Sequence, residues 1–121
     1  MVAKAPILLV NSNQRNLQLL VDVLEKEGYD AIAAYDYPTF DQAIIQEPAP
    51  KGALVDIAGF DSQIWPRCEQ LRAAKIPFLV ISPRQSAAVQ QASMTHGAKG
   101  VMVKPLIIKE LIGIIQSLVE E

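Results

Sequence analysis

The chain has one cysteine, one histidine and one tryptophan among its 121 residues, and neither sign of charge dominates, with 11 Lys and Arg against 13 Asp and Glu. A single cysteine, Cys68, excludes an internal disulfide. Its neighbours Arg67 and Glu69 leave no net positive charge to activate a thiolate, so it reads as a half-buried structural residue. A lone histidine excludes a histidine-built zinc centre. His96, just ahead of Gly97, instead reads as a helix cap whose partial charge complements the helix dipole. The net charge of −2 offers no clustered basic footprint for nucleic acid or an anionic membrane. No apolar run approaches the ~20 residues that span a bilayer. Met1 to Pro6 is too short for a secretory signal, so the cytoplasm is the expected location.

Half of the residues are apolar and a fifth are charged, the balance of an ordinary globular core. The length fits one domain, taken as residues 1–121, and no internal repeat, low-complexity stretch or linker divides it.

Five short apolar runs rich in branched residues alternate with longer segments of helical spacing: Ile7 to Val10, Ala31 to Tyr35, Ala53 to Ile57, Pro77 to Ile81 and Val101 to Val103. Runs without apolar/polar alternation indicate strands buried on both faces, hence a parallel sheet with helices on both sides. Leu17, Leu20, Val21 and Leu24 follow helical spacing, with Asn13 as N-cap and Gly28 as stop. A second helix carries Pro38 in its first turn, then Phe40, Ala43, Ile44 and Ile45, and ends at Glu47 before Pro48. The third is expected to start near Trp65, with Cys68, Leu71 and Ala74 inward. The fourth, about Gln85 to His96, shows only small apolar residues and should sit loosely. Trp65 reads as a loop-to-helix packing residue and Tyr29 as the opening residue of a strand.

In an open parallel sheet, ligands and chemistry gather beyond the carboxyl ends of the strands. There the sequence places Asn11 and Ser12 after the first strand, Asp56 within the third, Ser82 after the fourth and Lys104 after the fifth. A carboxylate inside an apolar strand costs several kcal/mol unless paired or hydrogen-bonded, and Lys104 is the obvious partner. Such a pair fits either a structural cap on the sheet or a chemical role.

At these positions the sequence resembles the receiver domain of two-component response regulators, over essentially its whole length. Asp56 falls on the phosphoacceptor position, Ser82 on the hydroxyl residue ending the fourth strand, and Lys104-Pro105 on the lysine-proline pair. Gly97-Ala98 and Leu71-Arg72 also fit. The resemblance implies a doubly wound α/β fold of the flavodoxin-like type, a five-stranded parallel sheet in the order 2-1-3-4-5. It implies that Asp56 takes a phosphoryl group from a sensor histidine kinase, a phosphotransfer protein or a small phospho-donor. Lys104 would then supply positive charge, Ser82 a donor, and Mg²⁺ would be held by Asp56 and the Ala58 carbonyl. It also implies a cis Lys104–Pro105 bond that helps to aim the lysine.

Several positions depart from that pattern. The family's acidic pair after the first strand is replaced by Asn11 and Ser12, neutral oxygens that leave only a weak Mg²⁺ site. Asp61 lies in the next loop, where it reads as a solvated aspartate or a cap. The aromatic switch position is Val101, Pro83 stiffens the loop after Ser82, and Gly59-Phe60 leave the shape of the loop after Asp56 open. Two readings therefore stand side by side: a phosphorelay receiver with a weakened Mg²⁺ site, and a pseudo-receiver that works as a protein-interaction or dimerisation module without phosphate. Neither is an enzyme. A flavin-binding or enzymatic domain finds no Gly-rich phosphate loop or catalytic base to support it. The last helix, from about Leu106, has an apolar arc wider than one buried face needs. Ile107, Ile114 and Leu118 are expected on an outward flank beside a core set of Ile108, Leu111, Ile112, Ile115 and Val119. That flank is a candidate homodimer surface with the fourth helix and fifth strand.

Overall fold

The computed structural model describes residues 4–119, so the domain bounds of 1–121 and part of the leader reading extend beyond the described residues. Strands and helices alternate without exception: β1 (Lys4–Val10), α1 (Gln14–Lys26), β2 (Tyr29–Ala34), α2 (Tyr37–Ile45), β3 (Gly52–Asp56), α3 (Ile64–Ala73), β4 (Phe78–Ser82), α4 (Ala87–Thr95), β5 (Val101–Val103) and α5 (Ile108–Val119). All strand pairs are parallel and their order is β2-β1-β3-β4-β5.

Every residue of β3 and β4 is buried, as their unbroken apolar runs require. Alternate side chains feed two cores. Leu8, Val10, Val55, Phe78 and Val80 meet Phe40 and Ala43 of α2 and Ile64, Cys68 and Leu71 of α3. Ile7, Leu9, Leu54, Leu79 and Ile81 meet Leu17 and Leu24 of α1 and Leu111 and Ile115 of α5. The chain thus crosses the sheet so that α1 and α5 cover one face and α2 and α3 the other, which returns every strand to the same direction.

Local signals set the helix ends. Asn13 caps α1, its side chain accepting from the Asn16 N–H, and Gly28 follows with φ 88°. Asp36 and Thr39 form a reciprocal capping box on α2, with Pro38 in the first turn. That helix stops at Ile45, earlier than Glu47, and Ile45 is 76% exposed while Phe40 and Ala43 are buried. Helix α3 begins one residue before Trp65, and Ala74 is its exposed C-cap instead of a core residue. The only buried side chain of α4 is Ser93, which donates back to the Val89 carbonyl, so this helix is thinly anchored, as its small residues imply.

Helix α5 corrects the expectation for its outer flank. Ile114 and Leu118 are half-buried against the core, and Leu118 lies over Gly52 at the start of β3. Ile108, expected inside, is 44% exposed beside Ile107 at 59%. The helix begins two residues later than expected, and its first residues, Ile108 to Glu110, are exposed. Both Glu47–Pro48 and Lys104–Pro105 are cis.

Candidate functional site

Asp56 closes β3 and is 2% exposed. Its Oδ2 lies 2.6 Å from the Lys104 Nζ and 3.4 Å from the Asn11 amide nitrogen, while its Oδ1 accepts from the Ala58 N–H at 3.0 Å. The strand ends impose this meeting. The Asn11 N–H donates to the Ala34 carbonyl and the Lys104 N–H to the Ser82 carbonyl, both at 3.0 Å, so each residue extends the sheet by one step. Their side chains are thereby held over the end of the central strand.

Asn11 and Ser12 act here as donors. The Asn11 Oδ1 is occupied by the Asn13 N–H at 2.9 Å, which turns its NH₂ group toward Asp56. The Ser12 hydroxyl donates to the Ala58 carbonyl at 2.9 Å. Gly59 makes that contact possible: at φ +82° it carries no side chain, and a Cβ there would stand 2.3 Å from the Ser12 Oγ. The loop after Asp56 is thus a tight turn, closed by the Phe60 N–H on the Ile57 carbonyl.

Ser82 is buried on the neighbouring strand end, and its hydroxyl donates to the Arg84 carbonyl at 2.6 Å instead of reaching the carboxylate. Val101 opens β5 and packs, half-buried, against the α2–α3 core. Asp56, Lys104 and Asn11 are therefore in direct contact. Ser12 and Ala58 bind each other beside them, and Ser82 joins the cluster through its backbone.

This set does not suit a divalent cation. Mg²⁺ asks for octahedral oxygen ligands, usually including more than one carboxylate or phosphate. Asp56 is the single acid, an ammonium already sits on it, and the Ala58 carbonyl holds a hydroxyl proton. Among the described residues no cluster of three acidic, His or Cys side chains offers another cation site.

A brace invisible in the sequence holds the loop from its other side. The Tyr37 hydroxyl donates to Asp61 Oδ1 at 2.5 Å, the Arg67 guanidinium lies 4.0 Å from the Tyr37 ring centroid, and Arg67 pairs with both oxygens of Asp41. The Tyr37 hydrogen bond holds the Asp61 carboxyl below its ordinary value. Burial, reinforced by that acid, raises the Tyr37 phenol. No local spacing links these residues, so only the exposed position of Asp61 was legible. Cys68 lies in the core, where burial pushes its thiol up to about 12. Trp65 stacks on His96 at 5.3 Å between centroids, and His96 caps α4.

Solved structures share this architecture across nearly the whole chain. A two-component response regulator from Clostridium difficile aligns over 95% of both chains with a TM-score of 0.86 and 19% identity. The chain has the receiver fold. A CheY-like response regulator receiver domain protein from Methanospirillum hungatei aligns over 97% of this chain and 94% of its own, with a TM-score of 0.84 and 22% identity. A chemotaxis protein of Vibrio cholerae aligns over 96% and 99%, with a TM-score of 0.82 and 21% identity. No protein-family model matches the sequence, nor does any curated protein. The receiver fold alone does not fix the chemistry, which rests on the side chains at the strand ends, since one fold hosts many functions. Among the described residues no helix is long and apolar enough to cross a membrane.

Proposed function

We propose that this chain is a phosphorylation-independent receiver module, a signalling element that works by protein contact while Asp56 stays bound to its own neighbours. The observation that carries this reading is the donor role of Asn11 and Ser12. One faces the carboxylate and the other the Ala58 carbonyl, the two groups that would otherwise receive a metal. A cation entering there would displace two hydrogen bonds and meet the Lys104 ammonium. Phosphoryl transfer spreads negative charge over several oxygens and demands compensating charge. Lys104 alone is left to provide it.

A second reading keeps Asp56 as phosphoacceptor for a histidine kinase or phosphotransfer protein. It is favoured by the 2.6 Å contact with Lys104 and by the position of Ser82. In that reaction a carboxylate oxygen bonds to phosphorus as the donor's P–N bond breaks, and Ser82 would have to release Arg84 to reach the group.

Acetyl phosphate with Mg²⁺, followed by intact mass, separates the two readings. The proposal expects no phosphoryl adduct and no amide shifts from Mg²⁺ alone, with a Mg²⁺ response appearing in the Asn11→Asp, Ser12→Asp double variant. An adduct in the unaltered chain that vanishes in Asp56→Asn would overturn it. For the contact surface we propose the turn joining β5 to α5, where Val103, Ile107 and Ile108 are exposed. Self-association through it predicts a dimer in sedimentation that Ile107→Glu with Ile108→Glu dissolves.

A further inference from the structure

A cavity of about 660 Å³ opens over the Asp56–Lys104 pair. The buried Asp56 and Asn11 line it together with Lys104, and Leu19 and Leu20 of α1 and Leu106 of the β5–α5 turn add apolar lining. The volume falls in the ~300–1,000 Å³ range of small-molecule sites, and the mixture of apolar walls with a few convergent polar groups is typical of them. Leu19 stands 58% exposed on the rim, an apolar side chain that no core contact explains.

The polarity of the Asp56, Asn11 and Lys104 trio is one-sided. Its acceptors are taken: Asn11 Oδ1 by the Asn13 N–H, Asp56 Oδ1 by the Ala58 N–H, and Asp56 Oδ2 by Lys104 and Asn11. Its donors are in surplus. An ammonium has three N–H groups and the Lys104 side chain, 31% exposed, gives one contact to Asp56. The Asn11 amide keeps a second hydrogen, and the Asn16 side chain, also on the lining, brings two N–H donors beside one acceptor oxygen. A trio rich in donors, lined alongside by leucines, selects a ligand with an anionic acceptor at one end and an apolar body.

We infer that this cavity binds a small amphipathic carboxylate, its head on Lys104 and Asn11 and its chain along Leu19, Leu20 and Leu106. The inference rests on Asp56 remaining unphosphorylated, as proposed above. The ligand then sets the position of α1 against the β5–α5 turn and so conditions the protein-contact surface.

Octanoate, octanol and inorganic phosphate serve as probes, followed by amide chemical shifts of the intact chain. Octanoate is expected to shift Asn11, Leu19, Leu20 and Leu106 saturably at one per chain. Octanol, which lacks the charge-assisted hydrogen bond, should bind about tenfold or more weakly, and phosphate, lacking the apolar body, weaker still. Leu19→Glu, at an exposed position that leaves the fold intact, should abolish the response, and Lys104→Met should erase the preference for octanoate over octanol. Equal binding of octanol, shifts confined to other residues, reproduction of the response by phosphate, or no saturation at millimolar ligand would each overturn the inference. Those outcomes leave the phosphorylation-independent reading standing. A phosphoryl adduct by mass would remove that reading by itself, and octanoate binding is then judged on the Asp56→Asn chain.

Discussion

Asp56 and Lys104 stand 2.6 Å apart with the acid 2% exposed, so each depends on the other. Removing one partner leaves a charge stranded: Lys104→Met should cost ~3 kcal/mol, the low end for a buried pair because water reaches the lysine. The Asp56→Asn, Lys104→Met double variant should recover most of that loss in urea melts. Gly59→Ala forces a Cβ to within 2.3 Å of the Ser12 Oγ at φ +82°. Left-handed backbone alone should cost ~1–2 kcal/mol, with loss of the Ser12–Ala58 hydrogen bond visible in the Ala58 carbonyl shift. Burial pushes the Cys68 thiol up to about 12, so the native chain should react slowly with a thiol-directed reagent at pH 8 and rapidly once unfolded in guanidinium. The Tyr37 phenol is raised above 10.0 by burial and by Asp61. A raised value means that the folded state holds the proton more tightly. The stabilisation is therefore complete below pH 10 and fades as pH climbs through the folded value, so the stability gap between the native chain and Tyr37→Phe should narrow in alkaline melts.

Among the elements, α5 and α4 differ most in how they are held. Leu111 and Ile115 of α5 are fully buried, while Ile107 and Ile108 at its start are 59% and 44% exposed. Truncating Ile115 to Ala should cost ~2–5 kcal/mol, against a change within ~0.5 kcal/mol for Ile107→Ala, a contrast that thermal melts resolve. Helix α4 anchors itself through Val89, Ser93 and the Trp65–His96 stack, with no large side chain fully buried. Its amides should exchange faster than those of the buried face of α1, and His96→Ala should raise that rate further.

For the molecule as a whole, a parallel sheet covered on both faces was legible because β3 and β4 must be buried on both sides, while the order of the strands was implied by the receiver resemblance. The cluster of Asp56, Lys104, Asn11 and Ser12 was legible as residues at strand ends, since register in such a sheet brings those ends to one edge. The outward flank of α5 was legible at Ile107 and not at Ile114 or Leu118. Projecting a helix shows which residues share a face but not which of them the sheet covers, and in the fold Ile114 and Leu118 pack against the core while Ile108 is exposed. Composition and spacing determined the alternating strands and helices and the site's location, and the receiver resemblance implied the strand order and the absence of the acidic pair, because those depend on which residues are present and how far apart they lie. Only the tertiary structure decided which hydrogen each polar group gives or takes. Whether the Asn11 amide offers oxygen or nitrogen to Asp56, whether Ser82 faces the carboxylate or Arg84, and whether leucines line the opening over the pair are matters of direction, and direction is set by how the backbone turns just beyond each strand end, at Asn13 and at Arg84, and by how the helices pack around it.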